Sequence, residues 1–349
     1  MISKLLTDWY IINKRDLPWR ESPVAYRVWL SEIILQQTRI NQGLSYYLKF
    51  VERYPKVDDL AMAPEDEVLK LWQGLGYYSR ARNLLKTARE IVLKYNGVFP
   101  ADYNELVKLK GIGDYTASAI ASIAFNLPYP TVDGNVNRLI ARLFNIDSPV
   151  NSNEGSKLIK EKAYNLLNKK NPGTHNQALM EFGSLYCVPQ NPDCENCILK
   201  KLCKAYQLGT VNKLPLKEKK VKIKRRYFNY LYIHYRGNTW LQKRQENDIW
   251  KNLFEFPLIE TPGEVEFDKL KETNEWQELF KGNQLNVNLN INSYTHVLTH
   301  QKIHAVFYRI EIDKPLITSG LITVSITKLH KFAIPRLIDK YLQEVNTYE

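Results

Sequence analysis

Residues 109–138 read LKGIGDYTASAIASIAFNLPYPTVDGNVNR, and the first half of the chain is organised around them. Gly111 and Gly113 mark a tight turn between two helical patterns, where positive φ and close backbone approach are expected. Ala117, Ile120, Ala121 and Ala124 then recur at helical spacing, so a helix starts just past the turn. Its first N–H groups have no partner within the helix and sit at a positive dipole end, an arrangement that suits a phosphate oxygen. Beyond Pro128 and Pro130 comes Asp133, followed by the stripe Val136, Leu139, Ile140 and Leu143 of a second helix. Asp133 has two uses open to it: a plain N-cap, or a carboxylate delivered to a site at the helix start.

Outward from this stretch, residues 1–208 predict an all-α domain of about ten helices, because apolar residues recur at three and four (Trp29, Ile33, Ile40; Leu84, Ala88, Ile91). Breaks fall at Pro55, Pro64, Gly74–Gly76 and Gly97–Pro100. Residues 209–226 are lysine-rich and read as a linker. From 227 to 349 the period becomes two in 227–235, 239–243, 284–291 and 303–312, with helical patterns at Glu264–Lys281 and Pro335–Val345. This second domain is α+β, of roughly 120 residues.

Lys and Arg outnumber Asp and Glu 49 to 37, a net charge of +12 that suits a polyanionic partner such as nucleic acid. The first residues, MISKLLTDWYIINKRD, read as an amphipathic helix and not as a secretory leader. The longest charge-free run, Tyr115–Val132, is broken by Asn126, Pro128 and Pro130 and is no membrane span. A bacterial cytoplasmic, nucleoid-associated location is the expectation.

Two further features carry chemistry. In RVWLSEIILQQT, Glu32 shares a helix face with Val28 and Leu35, a setting that raises a carboxyl pKa and favours the neutral acid; the plainer reading is a solvated helix glutamate. Cys187, Cys194, Cys197 and Cys203 are separated by six, two and five residues, close enough to enclose one metal centre. Zinc accepts four thiolates but usually through paired C-x-x-C elements, and the uneven spacing suits an iron–sulfur cubane. Lys200, Lys201 and Lys204 border this loop with positive charge.

With these residues in place, the chain resembles the adenine DNA glycosylases of the MutY type, in the helix-hairpin-helix superfamily that includes endonuclease III. WLSEIILQQT, LWQGLGYYSRARNL, LKGIGDYTASAI, VDGNVNRL, NQALMEFG and the cysteine loop follow the family's order over nearly the whole length. The resemblance implies a mainly α helix-hairpin-helix glycosylase domain with a [4Fe–4S] cluster on the four cysteines. It also implies a Nudix-like α+β domain that recognises 8-oxoguanine. The implied activity is excision of adenine mispaired with 8-oxoguanine or guanine in double-stranded DNA, by a monomer with no membrane association.

By the same resemblance Glu32 is the general acid and Asp133 the carboxylate that stabilises an oxocarbenium-like sugar, two groups of opposite pKa tuning. Tyr115 lies against the pair and Asn135 hydrogen-bonds the acid side. Glu181 and Arg20 read adenine, Arg15 adjoins the same pocket, and Trp19, Leu35 and Ile40 pack the flipped base. Gln37, Leu75 and Tyr77 match wedge and lesion-probing positions, while Gly111 and Gly113 grip the backbone. The lesion loop, usually Phe-Ser-His, is matched to Tyr294, Thr295 and His296. In the endonuclease III branch a lysine stands where Tyr115 does and drives strand cleavage through a Schiff base, so a monofunctional enzyme is expected here. The alternatives are a bifunctional glycosylase/lyase, a non-catalytic DNA-binding protein and a nucleotide hydrolase. Residues 227–349 carry no R-E-x-x-E-E run, which disfavours the last.

Overall fold

The computed structural model describes residues 1–218, 223–245, 248–298 and 300–345. They form two compact units, Met1–Met62 with Asn83–Lys219, and Ala63–Arg82 with Lys220–Glu349. The helices of the first two hundred residues are α1 (Ile2–Asn13), α2 (Pro18–Glu21), α3 (Ala25–Leu35), α4 (Ile40–Arg53), α5 (Val57–Met62), α6 (Glu65–Leu71) and α7 (Ser79–Tyr95). They continue with α8 (Tyr103–Lys108), α9 (Asp114–Phe125), α10 (Gly134–Phe144), α11 (Asn153–Leu166), α12 (Pro172–Leu185) and α13 (Lys204–Gln207). The helices beyond the expected ten are the short ones such as α2 and α13, four residues each, which cannot display a hydrophobic period.

Helix α9 is the hub of the first unit. Thr116 to Ser122 are all buried, and small side chains let α3, α8 and α12 close around it. Backbone contact is direct: a Cβ on Gly173 of α12 would stand 2.7 Å from the Ser122 carbonyl oxygen. Asn126 ends α9 in the left-handed conformation, and the Pro-containing segment after it delivers Asp133 as the N-cap of α10. The apolar stripe of α10 then packs with Leu6 and Tyr10 of α1, Ile159 of α11, and Leu179 and Phe182 of α12. Burying such a stripe contributes roughly 1.5–3 kcal/mol per large side chain. In the α8–α9 turn only Gly111 requires glycine: its φ is +81° and a Cβ would meet Asn83 Cβ at 2.8 Å. Gly113 is extended at φ −92°, ψ −179°, with open space around it, contrary to expectation.

The second unit contains β1 (Lys224–His234), β2 (Asn238–Lys243), β3 (Phe254–Glu255) and β4 (Leu258–Thr261), then α14 (Phe267–Lys271) and α15 (Asn274–Leu279). After these come β5 (Leu285–Val297), β6 (Gln301–Ile312), β7 (Leu321–Ser325) and α16 (Arg336–Glu344). One sheet has the order β4-β1-β6-β5 and the other β3-β2-β7, with β1 and β6 parallel. Alternate side chains of the larger sheet face α14 and α15, where Leu231, Ile233, Tyr308 and Ile310 meet Leu270, Trp276 and Phe280. On the opposite face Tyr341 of α16 stacks on Phe307 at 4.1 Å.

Residues 63–82 belong with this second unit, although their sequence reads as one more helical piece of the first. Lys70 Nζ donates to Phe332 O at 3.0 Å, Arg82 Nη1 to Lys251 O at 2.8 Å, and Lys243 pairs with Asp66 at 2.6 Å. A boundary at 208 therefore does not separate the packed units. Among the described residues no helix is long and apolar enough to cross a membrane.

Candidate active site

A cavity of about 760 Å³ in the first unit is lined by Glu32, Tyr115, Asp133 and Asn135, and also by Arg15, Trp19, Arg20, Leu35, Gln37, Ile40 and Glu181. Helix α3 supplies Glu32 from a turn whose neighbours Val28, Trp29 and Ile33 are buried. Tyr115, in the first turn of α9, donates its hydroxyl to Glu32 Oε2 at 2.5 Å. Burial pushes the Glu32 carboxyl up to about 7; the Tyr115 hydrogen bond opposes this and the nearby Asp133 adds to it. Tyr115 itself is held as the neutral phenol, its pKa raised by burial.

Asp133 is both a cap and a cavity residue. Oδ1 accepts from the backbone N–H of Asn135 and Val136 at 2.9 and 2.7 Å, and Oδ2 from Asn135 Nδ2 at 2.7 Å. Burial raises its pKa as well, against these hydrogen bonds and Arg138. Opposite tuning of the two carboxyls is therefore not what the fold provides, since one cavity desolvates both. What separates them is the number of donors: three at the N-terminus of α10 against one at Glu32, which leaves Asp133 the more acidic. Asn135 serves Asp133 and not the Glu32 side. Its Oδ1 accepts from Arg138 Nη2 at 3.0 Å, and Arg138 also bonds the carbonyls of Gly183 and Cys187 at 2.6 and 2.8 Å. Gly183 makes this contact possible, because a Cβ there would stand 2.9 Å from Asn135 O.

Glu181, expected to read adenine, is held by two arginines. Its carboxylate takes the Arg15 backbone N–H at 2.8 Å, two bonds from the Arg15 guanidinium at 2.9 and 2.6 Å, and two from Arg20 at 3.1 and 2.8 Å. Five donors saturate its lone pairs in this structure, so Glu181 orients the arginines. Burial opposes ionisation, but the Arg15 and Arg20 bonds prevail and hold the pKa down at about 2. One turn earlier, Gln177 also lines the cavity, and its Oε1 accepts from Tyr10 at 3.1 Å. That bond leaves the Gln177 amide N–H groups as donors. Sequence reasoning does not single out Gln177, Met180 and Ser184 in NQALMEFGS, although their three- and four-residue spacing puts them on the Glu181 face.

Glu181→Gln is expected to cost about 3 kcal/mol at pH 7, because two half-buried guanidinium groups lose their buried counter-charge. With a folded pKa depressed from 4.5 to about 2, the carboxylate's contribution is full above pH 4.5 and is lost as pH falls through 2. Melting temperatures of the two proteins should thus converge as the pH falls from 4.5 towards 2; a constant gap would contradict the assignment.

Of the expected DNA contacts Gln37 lines the cavity, and the others lie elsewhere. Gln37 is exposed in the turn between α3 and α4 at φ +58°, a strained conformation for a residue other than glycine. Gly111 and Gly113 sit in the α8–α9 turn, outside the cavity lining. Leu75 and Tyr77 belong to the second unit, Leu75 buried and Tyr77 exposed at φ +47°.

Tyr294, Thr295 and His296 do not form a loop but lie in β5, so they alternate between faces. Tyr294 hydrogen-bonds Glu344 and packs on Phe307, and His296 lies 5.9 Å from Trp250. Thr295 points to the other face, 3.4 Å from His304 Nδ1. The three cannot act as one recognition tip. The connection to β6 comes after them, where Leu298 N–H donates to Gln301 O at 2.8 Å.

The four cysteines form no disulfide and line a second, largely apolar cavity with Leu139, Leu143, Phe182 and Tyr206. Among the described residues no three His, Cys, Asp or Glu converge as they would on a single ion. All four cysteines line the one cavity, a donor set that fits a four-thiolate metal centre. Burial and the neighbouring thiols raise Cys194 and Cys203, and push Cys197 up to about 11. Donors that favour bound thiolates are present: Arg142 Nη1 is 3.4 Å from Cys187 Sγ, and Leu199 N–H is 3.4 Å from Cys197 Sγ.

Residues 30–166 match the family model of HhH-GPD superfamily base excision DNA repair proteins, and residues 229–344 match the NUDIX domain. An adenine DNA glycosylase of Buchnera aphidicola subsp. Schizaphis graminum is 37% identical over 314 residues, 88% of this chain and 86% of that protein. The adenine DNA glycosylase of Homo sapiens is 42% identical over 58% of this chain and 39% of its own. Among solved structures, a thermostable thymine-DNA glycosylase aligns with a TM-score of 0.55 at 30% identity, covering 59% of this chain and 95% of that one. A non-covalent endonuclease III–DNA complex aligns at 0.51 and 24% identity, over 60% and 94% of the two chains, and shares the fold.

Proposed function

The chain belongs to the adenine DNA glycosylase family, and from that premise we propose that it excises adenine opposite 8-oxoguanine or guanine in duplex DNA and leaves an intact abasic site. The observation that carries this reading is Glu32 and Asp133 on the walls of one cavity large enough for a nucleoside. Flipping adenine into it costs a few kcal/mol of unstacking, offset by pocket contacts. Trp19, Leu35 and Ile40 sandwich the base; Arg20 and the Gln177 amide supply hydrogen bonds to its ring nitrogens.

Tyr115 occupies Glu32 Oε2 as a donor, so the proton of the neutral acid sits on Oε1 and points to the base. Its transfer to the purine lets the C1′–N9 bond break with the electron pair leaving on adenine. The ionised Asp133 faces the positive charge developing at C1′. Water then adds to C1′, and the Glu32 carboxylate takes its proton. Both carboxyls come from one chain, so a monomer suffices.

Among the described residues no lysine lines the cavity, which supports a glycosylase without lyase chemistry over the endonuclease III-like alternative. The acids of the second unit support recognition over hydrolysis: Glu255 and Asp248 are taken up by Arg244 and Arg226 at 2.5–2.9 Å. Reading of 8-oxoguanine is assigned to the second unit, with Leu298 and His300, between β5 and β6, as its candidate contacts. Cys187, Cys194, Cys197 and Cys203 would hold a [4Fe–4S] cluster, which would stabilise the half-buried thiolates and cross-link residues 187–203.

Single-turnover assays of the full chain on duplexes with A opposite 8-oxoguanine, G or T test this reading. Excision should be fastest opposite 8-oxoguanine, with strand breaks only after alkali and no borohydride-trapped adduct. A trapped adduct, or removal of a base other than adenine, would refute it.

A further inference from the structure

We infer that the open end of the larger sheet in the second unit is a phosphodiester-backbone contact, a surface that rests on the DNA-repair reading and extends it. Arg225 of β1 and Lys302 of β6 are registered side by side, so both side chains leave the same face of the sheet. Strands lie roughly 4.8 Å apart, and like charges in such a pair repel. Neither cation forms an ion pair among the described residues. The nearest acid in the neighbouring strand, Glu260, registers with Phe228 and points to the opposite face, where it is taken by Arg226. Two unneutralised cations in register are destabilising unless an anion sits over them.

What surrounds them fits a nucleic-acid strand better than a free anion. Tyr227 and His304, the next registered pair on that face, stack at 5.2 Å with their rings 14° from parallel. Thr295 is exposed beside His304, and Val297 beside Lys302 is 67% exposed. The helices that cover this face do so at Leu231 and Ile233, further along β1, and leave the Arg225 end open. The result is a cationic and hydroxyl-bearing strip with a flat aromatic step, suited to phosphates and the intervening sugar. The strip ends directly below the β5–β6 turn, since Lys302 pairs with Val297. Gripping the backbone there would fix the depth at which the turn meets the bases, without reading sequence.

The test is the salt dependence of binding to a lesion-free duplex, measured by fluorescence anisotropy for the full chain. Each phosphate that is no longer neutralised lowers the slope of log K against log salt by about 0.9. Arg225→Gln with Lys302→Gln should lower the slope by nearly two and weaken binding about tenfold at 0.1 M salt. Lys328→Gln, an exposed lysine elsewhere in the unit, should leave the slope unchanged. Matching melting temperatures keep misfolding out of the comparison, and the single substitutions Arg225→Gln and Lys302→Gln provide milder versions if the pair unfolds. An unchanged slope, or an equal drop with Lys328→Gln, overturns the proposal. Adenine excision at saturating enzyme is measured in parallel: its absence in the wild type would sink the glycosylase reading, while the slope would still decide the backbone grip.

Discussion

Glu32→Gln is expected to slow single-turnover adenine excision by about a thousandfold while leaving the protein folded. General acid catalysis contributes roughly 10²–10⁴-fold, and glutamine keeps the shape and an oxygen for Tyr115 but has no proton to give. The wild type should also lose activity as pH rises through about 7, because burial puts the Glu32 pKa there and only the neutral acid is active. Stability moves the other way. A folded pKa raised from 4.5 to about 7 gives a contribution that is full below pH 4.5 and lost as pH rises through 7. At pH 8 the buried carboxylate costs about 3 kcal/mol on the scale of 1.36 kcal/mol per pKa unit. Glu32→Gln removes that cost, so the variant should melt higher than wild type at pH 8 and alike near pH 5. Excision within tenfold of wild type would show that the proton comes from elsewhere.

Much of this site is legible in residue patterns because it rests on local chemistry. An aspartate before a glycine and an apolar stripe is a helix cap in any context, and Asp133 is one; its position at a cavity follows from how α10 must pack. Glu32 among apolar neighbours signals a raised pKa before any partner is known. Features that depend on long-range packing are not legible. Residues 63–82 carry an ordinary helical pattern, and it is their contacts with distant residues such as Lys243, Lys251 and Phe332 that place them in the second unit. The saturation of Glu181 needs Arg15 and Arg20, some 160 residues away in sequence, to arrive at the same carboxylate. The pairing of Tyr294, Thr295 and His296 with a loop fails for a simpler reason: aromatic and β-branched residues favour a strand, and a strand splits a triplet between two faces.

Asp133→Asn should separate the two uses of Asp133 that the sequence leaves open. Asparagine is as good an N-cap as aspartate, and its Oδ1 can accept from the backbone N–H groups of Asn135 and Val136. Its amide nitrogen then faces Asn135 Nδ2, where the carboxylate Oδ2 now accepts at 2.7 Å. Flipping Asn135 does not help, because its Oδ1 is the acceptor for Arg138 Nη2. One donor is left facing another, at a cost of about 1–3 kcal/mol, so the variant should melt lower than wild type yet remain folded at assay temperature. Chemistry should suffer more. Removing the charge that faces C1′ is expected to lower the single-turnover rate about 10²–10³-fold, the loss typical of one electrostatic stabiliser. Asp133→Ala, which also loses the cap, should melt below wild type with a rate no better than that of Asp133→Asn. If the folded Asp133→Asn protein excised adenine within threefold of wild type, Asp133 would be a cap alone, and the oxocarbenium would need another partner among the groups that line the cavity.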